Sequence, residues 1–356
     1  MVFKIIILSI ALLPSFIAND SLPRGNMSAS FCAGFNSKFP SDLSVNNQRF
    51  SQLTGVWKDV LSYITTINSN YNNKHNTSLH RITRIIWSTC KHIPDHIPTH
   101  LLNMYNNNSN WKPFIIDDFH ATEFINIIYA DTGIAWAYTS ISTGYGAIKA
   151  DIFRYAVLYV FGGVYIDLDS VLSASLDQYL KPGDNFILGA EGHVAYSVDQ
   201  CYTENYTLAD TKYNSNTFID KLPWKSSKIV QSILISKPYH VIFRRVLHNM
   251  MTVYNQYCYN KPVFITNIHR QHVVFCSSGP DLLTATIRQV IYQKDMSIYT
   301  YTNTYTNTHM SIRYAGIQYS DLHGQLKVTD DTWSASHWKH YNGQGVPLFN
   351  QSYVLK

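Results

Sequence analysis

One stretch constrains the fold more than any other: IKADIFRYAVLYVFGGVYIDLDS, from Ile148 to Ser170. Ile152, Tyr155, Ala156 and Tyr159 recur at helical spacing and mark one side of a helix. Asp151, Arg154 and Leu158 fall on an adjacent strip, since residues three and seven apart are neighbours on a helix surface. Gly162 and Gly163 then stop the helix, glycine being the usual residue just past a helix C-terminus. VYIDLD, Val164 to Asp169, follows with the pattern of a short strand. Ligands of open α/β sheets bind beyond the carboxyl ends of the strands, which is where Asp167 and Asp169 fall. Two residues apart on a strand means the same face. Two carboxylates there repel unless something positive joins them, and a divalent cation with oxygen ligands is the natural guest. Such an ion is able to bridge a carboxylate to a diphosphate.

The flanking sequence extends the α/β pattern. Arg84 to Trp87 has the character of a first buried strand, a loop and helix follow, and Trp111 to Asp118 has the character of a second strand ending in two carboxylates. Strands alternating with helices predict a parallel α/β sheet. Upstream, Phe50, Leu53, Trp57, Val60, Leu61 and Ile64 are spaced for one helix over Gln48 to Ile67. Residues 20–79 otherwise have the polar, Pro- and Gly-punctuated character of a stem or linker. The Thr300–His309 tract is a short biased segment, an edge strand or a loop.

Composition narrows the class. With 46% hydrophobic and 14% charged residues in 356, the chain has enough apolar material for a large core and is not of the disordered class. The formal net charge of +5 is mild, and no clustered basic stripe of the kind used on nucleic acid is present in the sequence. The 26 tyrosines supply flat apolar bodies with polar tips, suited to stacking on sugars or bases, although a general bias toward Tyr, Asn and Ile is the simpler account of them.

The N-terminus sets the expected compartment. Lys4 precedes the apolar run from Ile5 to Ala18, the arrangement of a signal peptide, and the run is short for a bilayer span. Residues 1–19 are therefore read as a cleaved signal peptide or a short signal anchor, with the rest of the chain in the secretory lumen. Cys32, Cys90, Cys201, Cys258 and Cys276 contain no CxxC pair, so one or two disulfides with a thiol left over are open. Asn-x-Ser/Thr sequons at Asn19, Asn26, Asn76, Asn107, Asn205 and Asn350 permit that location.

Lys149, Asp151, Arg154, Tyr155, Gly162, Gly163, Val164, Tyr165, Asp167 and Asp169 together resemble the glycosyltransferase family 32 type, the sugar-binding-region proteins with a DxD motif. These include Golgi α-mannosyltransferases, α1,4-galactosyltransferases and the glucosylating domains of large bacterial toxins. RIIWSTC resembles the family's first strand and WKPFIIDD its second. SSGPDLLTATI, Ser277 to Ile287, resembles a segment near the acceptor side, and SASHWKHY, Ser334 to Tyr341, a C-terminal His-Trp segment. Two places depart from the pattern: Ser88-Thr89-Cys90 after the first strand, and Lys339-His340 after Trp338.

The resemblance implies a GT-A type nucleotide-sugar transferase fold, a Rossmann-like mixed sheet with flanking helices, over residues 80–345, with 346–356 as a tail. It implies a retaining transfer of a hexose from a nucleotide sugar to a glycan, glycoprotein or glycolipid acceptor, with Mn2+ or Mg2+. Asp169 would ligate the metal and Asp167 would contact the ribose or the metal. Trp87 would stack on the base. Asp151 and Arg154 would hydrogen-bond the donor sugar, with Tyr155 beside them. His337 would be a further metal ligand or touch the diphosphate, with Trp338 in the donor site. Gly279 and Pro280 would lie on the acceptor side. Glu191, downstream of the motif, is a candidate neighbour of the sugar and candidate nucleophile. Ile233 to Leu247 has a mannosyl flavour and GPDLLT a galactosyl or N-acetylglucosaminyl one, leaving GDP-mannose, UDP-galactose and UDP-GlcNAc as donors. The resemblance further implies the Golgi lumen, as a type II membrane or secreted protein.

Structural alternatives stand beside each assignment: a core aromatic for Trp87, an ion pair with Asp151 for Arg154, a surface histidine for His337. YIDLDSV also fits a haloacid-dehalogenase-type phosphatase, with Asp167 as nucleophile, Asp169 as acid, and Asp330 and Asp331 as the downstream acidic pair. That reading leaves the Asp151/Arg154 helix and the Gly-Gly turn unexplained. A third reading is an inactive lumenal carbohydrate-binding protein, against which the intact Asp151, Arg154, Asp167 and Asp169 argue.

Overall fold

The computed structural model describes residues 47–72, 82–93, 95–141, 145–172, 175–180, 184–188, 190–193, 227–258, 274, 276–292, 312–314 and 326–328. The N-terminal apolar run, the Thr300–His309 tract, the Ser334–Tyr341 segment with His337 and Trp338, the pair Asp330 and Asp331, and the tail 346–356 lie outside these residues.

Strands β1 (Ile85–Cys90), β2 (Lys112–Asp117), β3 (Gly163–Ile166), β5 (Phe186–Leu188), β8 (Ile233–Ser236) and β9 (Ile312–Tyr314) form one mixed sheet in the order β2-β1-β3-β8-β5-β9. The pairs β2/β1, β1/β3 and β5/β9 are parallel, and β8 runs antiparallel to both β3 and β5. Two antiparallel pairs stand apart from it: β4 (Ser170–Leu172) with β10 (Leu326–Val328), and β6 (Ala190–His193) with β7 (Ser227–Ile229). The α/β class expected from the sequence is thus observed, with a mixed rather than purely parallel sheet.

Successive strand residues point to opposite faces, and both faces here are apolar, as in a sheet covered on both sides. Ile85 and Trp87 of β1, Tyr165 of β3, Phe186 of β5 and Leu234 of β8 enter the larger core. Ile86, Val164, Ile166, Ile187, Ile233 and Ile235 enter the smaller core on the other face. Helices α1 (Val56–Asn72), α3 (Asp118–Ile128), α4 (Gly133–Ser140), α5 (Gly146–Phe161), α7 (Val241–Cys258) and α8 (Pro280–Tyr292) supply residues to or against the larger core. Helix α2 (Thr99–Asn107) and the short α6 (Leu176–Tyr179) supply the smaller one. No helix among the described residues is long and apolar enough to cross a membrane.

Two expectations are corrected. The single helix over Gln48 to Ile67 is a 3-10 turn, Asn47–Gln52, followed by α1. The break has a tertiary cause: the Thr54 amide and hydroxyl both donate to Glu123 Oε1 of α3, at 2.8 and 2.6 Å, and Gly55 adopts φ +51°. Leu53, Trp57 and Val60 belong to the larger core, so packing of the domain begins well before residue 80 and α1 is not a free stem element.

The second correction concerns VYIDLD. Strand β3 ends at Ile166, and Asp167 to Ser170 form a turn closed by the Ser170 amide donating to the Asp167 carbonyl at 2.9 Å. The turn contains neither Gly nor Pro, so alternation alone runs through it. Helix α5 ends at Phe161 as expected, with Gly162 at φ +64° and Gly163 at φ +101°. A Cβ at Gly162 would lie 2.6 Å from Pro238, and one at Gly163 would lie 2.7 Å from the Ile85 carbonyl. Both positions therefore require glycine on conformational and spatial grounds.

Candidate active site

The parallel register of β2, β1 and β3 brings their carboxyl ends together, so Asp117, Cys90 and Asp167 stand at one edge of the sheet. Asp167 leaves β3 with its amide bonded to the Ser232 carbonyl at 2.9 Å. Its carboxylate keeps 30% of its side-chain surface exposed and meets the Arg154 guanidinium at 3.1 Å. The Tyr165 hydroxyl also hydrogen-bonds it, and Tyr165 in turn pairs with Thr89 Oγ1 at 2.8 Å. Burial pushes the Asp167 carboxyl up to about 6, opposed by Arg154 and reinforced by the neighbouring charge of Asp169. The Asp169 charge raises the cost of ionising Asp167, and a cation relieves that cost.

Behind Asp167 lies a buried polar chain. Arg154 is 6% exposed and Asp151 3% exposed, on successive turns of α5. Arg154 Nη2 lies 3.4 Å from Asp151 Oδ1, its Nη1 donates to the Gln231 carbonyl at 2.7 Å, and its guanidinium lies 4.5 Å over the Tyr165 ring. Burial works against the guanidinium charge, but Asp167, Tyr165 and Asp151 hold it firmly protonated. Asp151 Oδ2 accepts from Ser278 Oγ at 2.6 Å and Oδ1 from Gln231 Nε2 at 3.0 Å. Burial pushes Asp151 up to about 6 as well, with Arg154 opposing. The Tyr155 hydroxyl, fully buried, accepts from Gln231 Nε2 at 2.6 Å and donates to the Ser278 carbonyl at 2.8 Å.

Four residues expected in the donor site have these contacts. Each oxygen of Asp151 accepts from a protein donor, and the Tyr155 ring and hydroxyl are enclosed. Arg154 spends both terminal nitrogens on the protein and serves Asp167; its Nε is buried without a hydrogen-bond partner among the described residues. Trp87 is 0% exposed, ringed by Trp57, Phe114 and Phe161 at centroid distances of 5.7–6.2 Å, and donates its indole N–H to the Gly162 carbonyl at 2.8 Å. Its strand position points the ring into the larger core.

Asp169 sits in the turn after β3, partly exposed beside Asp167. Glu191 falls in β6, which is described by its backbone alone. Gly279 closes a turn, its amide donating to the Val274 carbonyl at 2.8 Å, and Pro280 opens α8, where a missing N–H costs nothing. Gln231, Ser278 and Tyr165 complete the arrangement. Tyr165 was in the motif without a role, Ser278 preceded the Gly-Pro pair, and Gln231 carried no sequence signal at all.

The neighbouring strand end is polar too. Asp117 caps α3, accepting from the His120 amide at 2.9 Å and from its ring Nδ1 at 2.6 Å. Asp118 is raised by burial and faces Lys149, and Phe119 beside them is the most exposed large apolar side chain among the described residues, at 72%. For a metal ion the donor set fits at two positions: Asp167 and Asp169 are hard oxygen ligands, adjacent, partly exposed and mutually repulsive. No group of three metal-ligating side chains converges among the described residues.

Residues 85–187 match the family described as glycosyltransferase sugar-binding region containing DXD motif. Those residues run from β1 to β5 and include the whole α5–Gly-Gly–β3–Asp167–Asp169 segment. Among curated proteins, the initiation-specific alpha-1,6-mannosyltransferase of Candida albicans is 32% identical over 87 residues, 24% of this chain. The match spans only a fifth of that relative's length, 20%. Among solved structures, the PaToxG glycosyltransferase aligns over 66% of this chain and 80% of its own, at 16% identity and a TM-score of 0.38.

Proposed function

We propose that this protein is a metal-dependent glycosyltransferase that moves a hexose from a nucleotide sugar to a glycan, glycoprotein or glycolipid acceptor. The observation that carries the reading is the sugar-binding-region match, with its Asp-x-Asp placed at the carboxyl end of β3 and held by Arg154. Asp167 and Asp169 would hold Mn2+ or Mg2+. Such an ion, when bound, supplies Lewis-acid stabilisation of a departing nucleoside diphosphate. The chain's own part is orientation: Ser232 fixes the Asp167 backbone, and Arg154 and Tyr165 fix its carboxylate. The stretch shared with a mannosyltransferase puts GDP-mannose first among the donors, with UDP-galactose and UDP-GlcNAc next. Glu191 as a sugar neighbour and His337 as a further ligand belong to the same proposal. A secretory compartment, the Golgi lumen, is supported by the apolar N-terminal run and by Cys276 being disulfide-bonded. Residues 1–19 would serve there as a cleaved signal peptide or a short signal anchor.

The test is nucleoside diphosphate release from a panel of GDP- and UDP-sugars, with Mn2+ or with chelator. Release from one donor, abolished by chelator and reduced by orders of magnitude in Asp169→Asn, is the expected result. No release from any donor, together with phosphatase activity dependent on Asp167, would replace this reading with the phosphatase one.

A further inference from the structure

Gln231 occupies the turn before β8 and touches every part of the buried chain behind Asp167. Its carbonyl accepts from Arg154 Nη1 at 2.7 Å, and the next carbonyl, of Ser232, accepts from the Asp167 amide at 2.9 Å. The hydrogens of its side-chain amide go to Asp151 Oδ1 at 3.0 Å and the Tyr155 hydroxyl at 2.6 Å. That hydroxyl passes its own hydrogen to Ser278 O at 2.8 Å, and Ser278 Oγ donates to the other Asp151 oxygen at 2.6 Å. Asp151 therefore has one orientation, and Arg154, which bridges Asp151 and Asp167, has one as well.

We propose that Gln231 is a positioning residue for the Asp-x-Asp motif: its amide locks Asp151, Asp151 locks Arg154, and Arg154 sets the orientation of the Asp167 carboxylate. Packing does not ask for an amide here. Val230, Ile233 and Leu234 around it are buried and apolar, and a buried amide is costly unless its hydrogen bonds are made. The bonds it makes converge on the charged chain. A free arginine has several rotatable bonds to order, and a satisfied network of this kind holds one geometry where a partly satisfied one does not. Partners one shell behind a metal ligand typically change metal affinity or activity by about 10- to 100-fold. The inference rests on the proposed reading that Asp167 and Asp169 hold a divalent cation.

The experiment is Mn2+ binding to the full chain, followed by the electron paramagnetic resonance signal of free Mn2+, with melting temperature and nucleoside diphosphate release measured alongside. Gln231→Met keeps the length and removes the amide, and Ser278→Ala is a milder cut in the same chain. Asn249→Leu is the packing control: it removes a buried bond from Asn249 Nδ2 to Thr286 Oγ1 of 2.9 Å between α7 and α8. Gln231→Met should weaken Mn2+ binding about tenfold or more, and Ser278→Ala by a smaller factor in the same direction. Asn249→Leu should lower the melting temperature and leave Mn2+ affinity unchanged. If Gln231→Met does not fold, Ser278→Ala decides. Wild-type affinity in the folded variants, or a loss that Asn249→Leu reproduces at equal melting temperature, overturns the inference alone. No Mn2+ binding by the wild type, or binding that survives Asp169→Asn, overturns the metal reading and the inference with it.

Discussion

The indole of Trp87 makes one hydrogen bond, to the Gly162 carbonyl, and is closed in by three other aromatic rings. That carbonyl stands where α5 has ended, so it has no partner within the helix. Trp87 satisfies it from across the sheet, a tie that fixes the start of β3 relative to β1. Trp87→Phe keeps an aromatic ring and removes the donor, leaving a buried carbonyl unsatisfied beside a smaller side chain. The expected cost is about 2–3 kcal/mol in urea unfolding. The Michaelis constant for the donor, measured on the folded fraction, should stay within about twofold, since changes in uniform binding appear there. A loss of donor affinity with stability unchanged would put Trp87 in the base site. In sequence, a tryptophan on a strand beside a nucleotide-sugar motif has the same appearance whether it faces a ligand or the core. What separates the two is the rings it meets: Trp57 arrives from α1 and Phe161 from α5, neither adjacent in the chain.

At the scale of elements, the α5–Gly-Gly–β3 unit is the part whose geometry is set locally, and it was legible for that reason. Helical spacing, two glycines and an apolar run each have a signature within a few residues. Gly162→Ala tests how rigid the unit is. The substitution places a Cβ at φ +64° and within 2.6–2.7 Å of Pro238 and the Ser236 carbonyl. At φ +64° and ψ −158° the backbone is in a region essentially reserved for glycine, which costs about 1–3 kcal/mol for a residue with a Cβ, and the contacts with Pro238 and the Ser236 carbonyl add to it. The expected loss is about 2–4 kcal/mol by denaturant unfolding; a loss below about 1 kcal/mol would show that the turn and β8 separate easily. The parts that were not legible depend on distance in sequence. Gln231 meets Asp151 across 80 residues and Ser278 meets it across 127, and no periodicity carries information over such spans. The division of the first helix has the same cause: Glu123 reaches Thr54 across 69 residues and caps a helix that spacing alone would have continued. The end of β3 was hidden differently, by a turn made without glycine or proline.

For the molecule as a whole, pH acts through buried groups that work in opposite directions. His240 sits at the start of α7, stacked 4.6 Å from Phe186, with Nδ1 accepting weakly from the Ile242 amide at 3.4 Å. Burial, reinforced by the Lys237 charge, pushes its pKa down from 6.5 to about 3. Protonation there would also put a positive charge at a helix N-terminus, where the backbone dipole opposes it. The unfolded chain takes up the proton near 6.5 while the folded chain does not. Stability from this group is therefore complete above about 6.5, falls as pH drops, and stops falling below about 3. The slope in between reaches at most about 1.4 kcal/mol per pH unit. Asp151 and Asp167, each raised from 3.8 to about 6, have the opposite sign: their contribution is present below 3.8 and lost as pH rises through 6. These carboxylates oppose His240 between about 4 and 6, so its contribution is read from the difference between wild type and a variant and not from the wild-type curve alone. His240→Phe removes the histidine side of that opposition and keeps the stack on Phe186. Denaturant unfolding of wild type and variant from pH 3 to pH 8 should give a difference that is constant above about 7. Below about 6 the variant should gain on the wild type with falling pH, as the histidine penalty disappears. A difference that stays constant across the whole range would show that His240 binds its proton equally in the folded and unfolded chain, and the burial argument for it would fail.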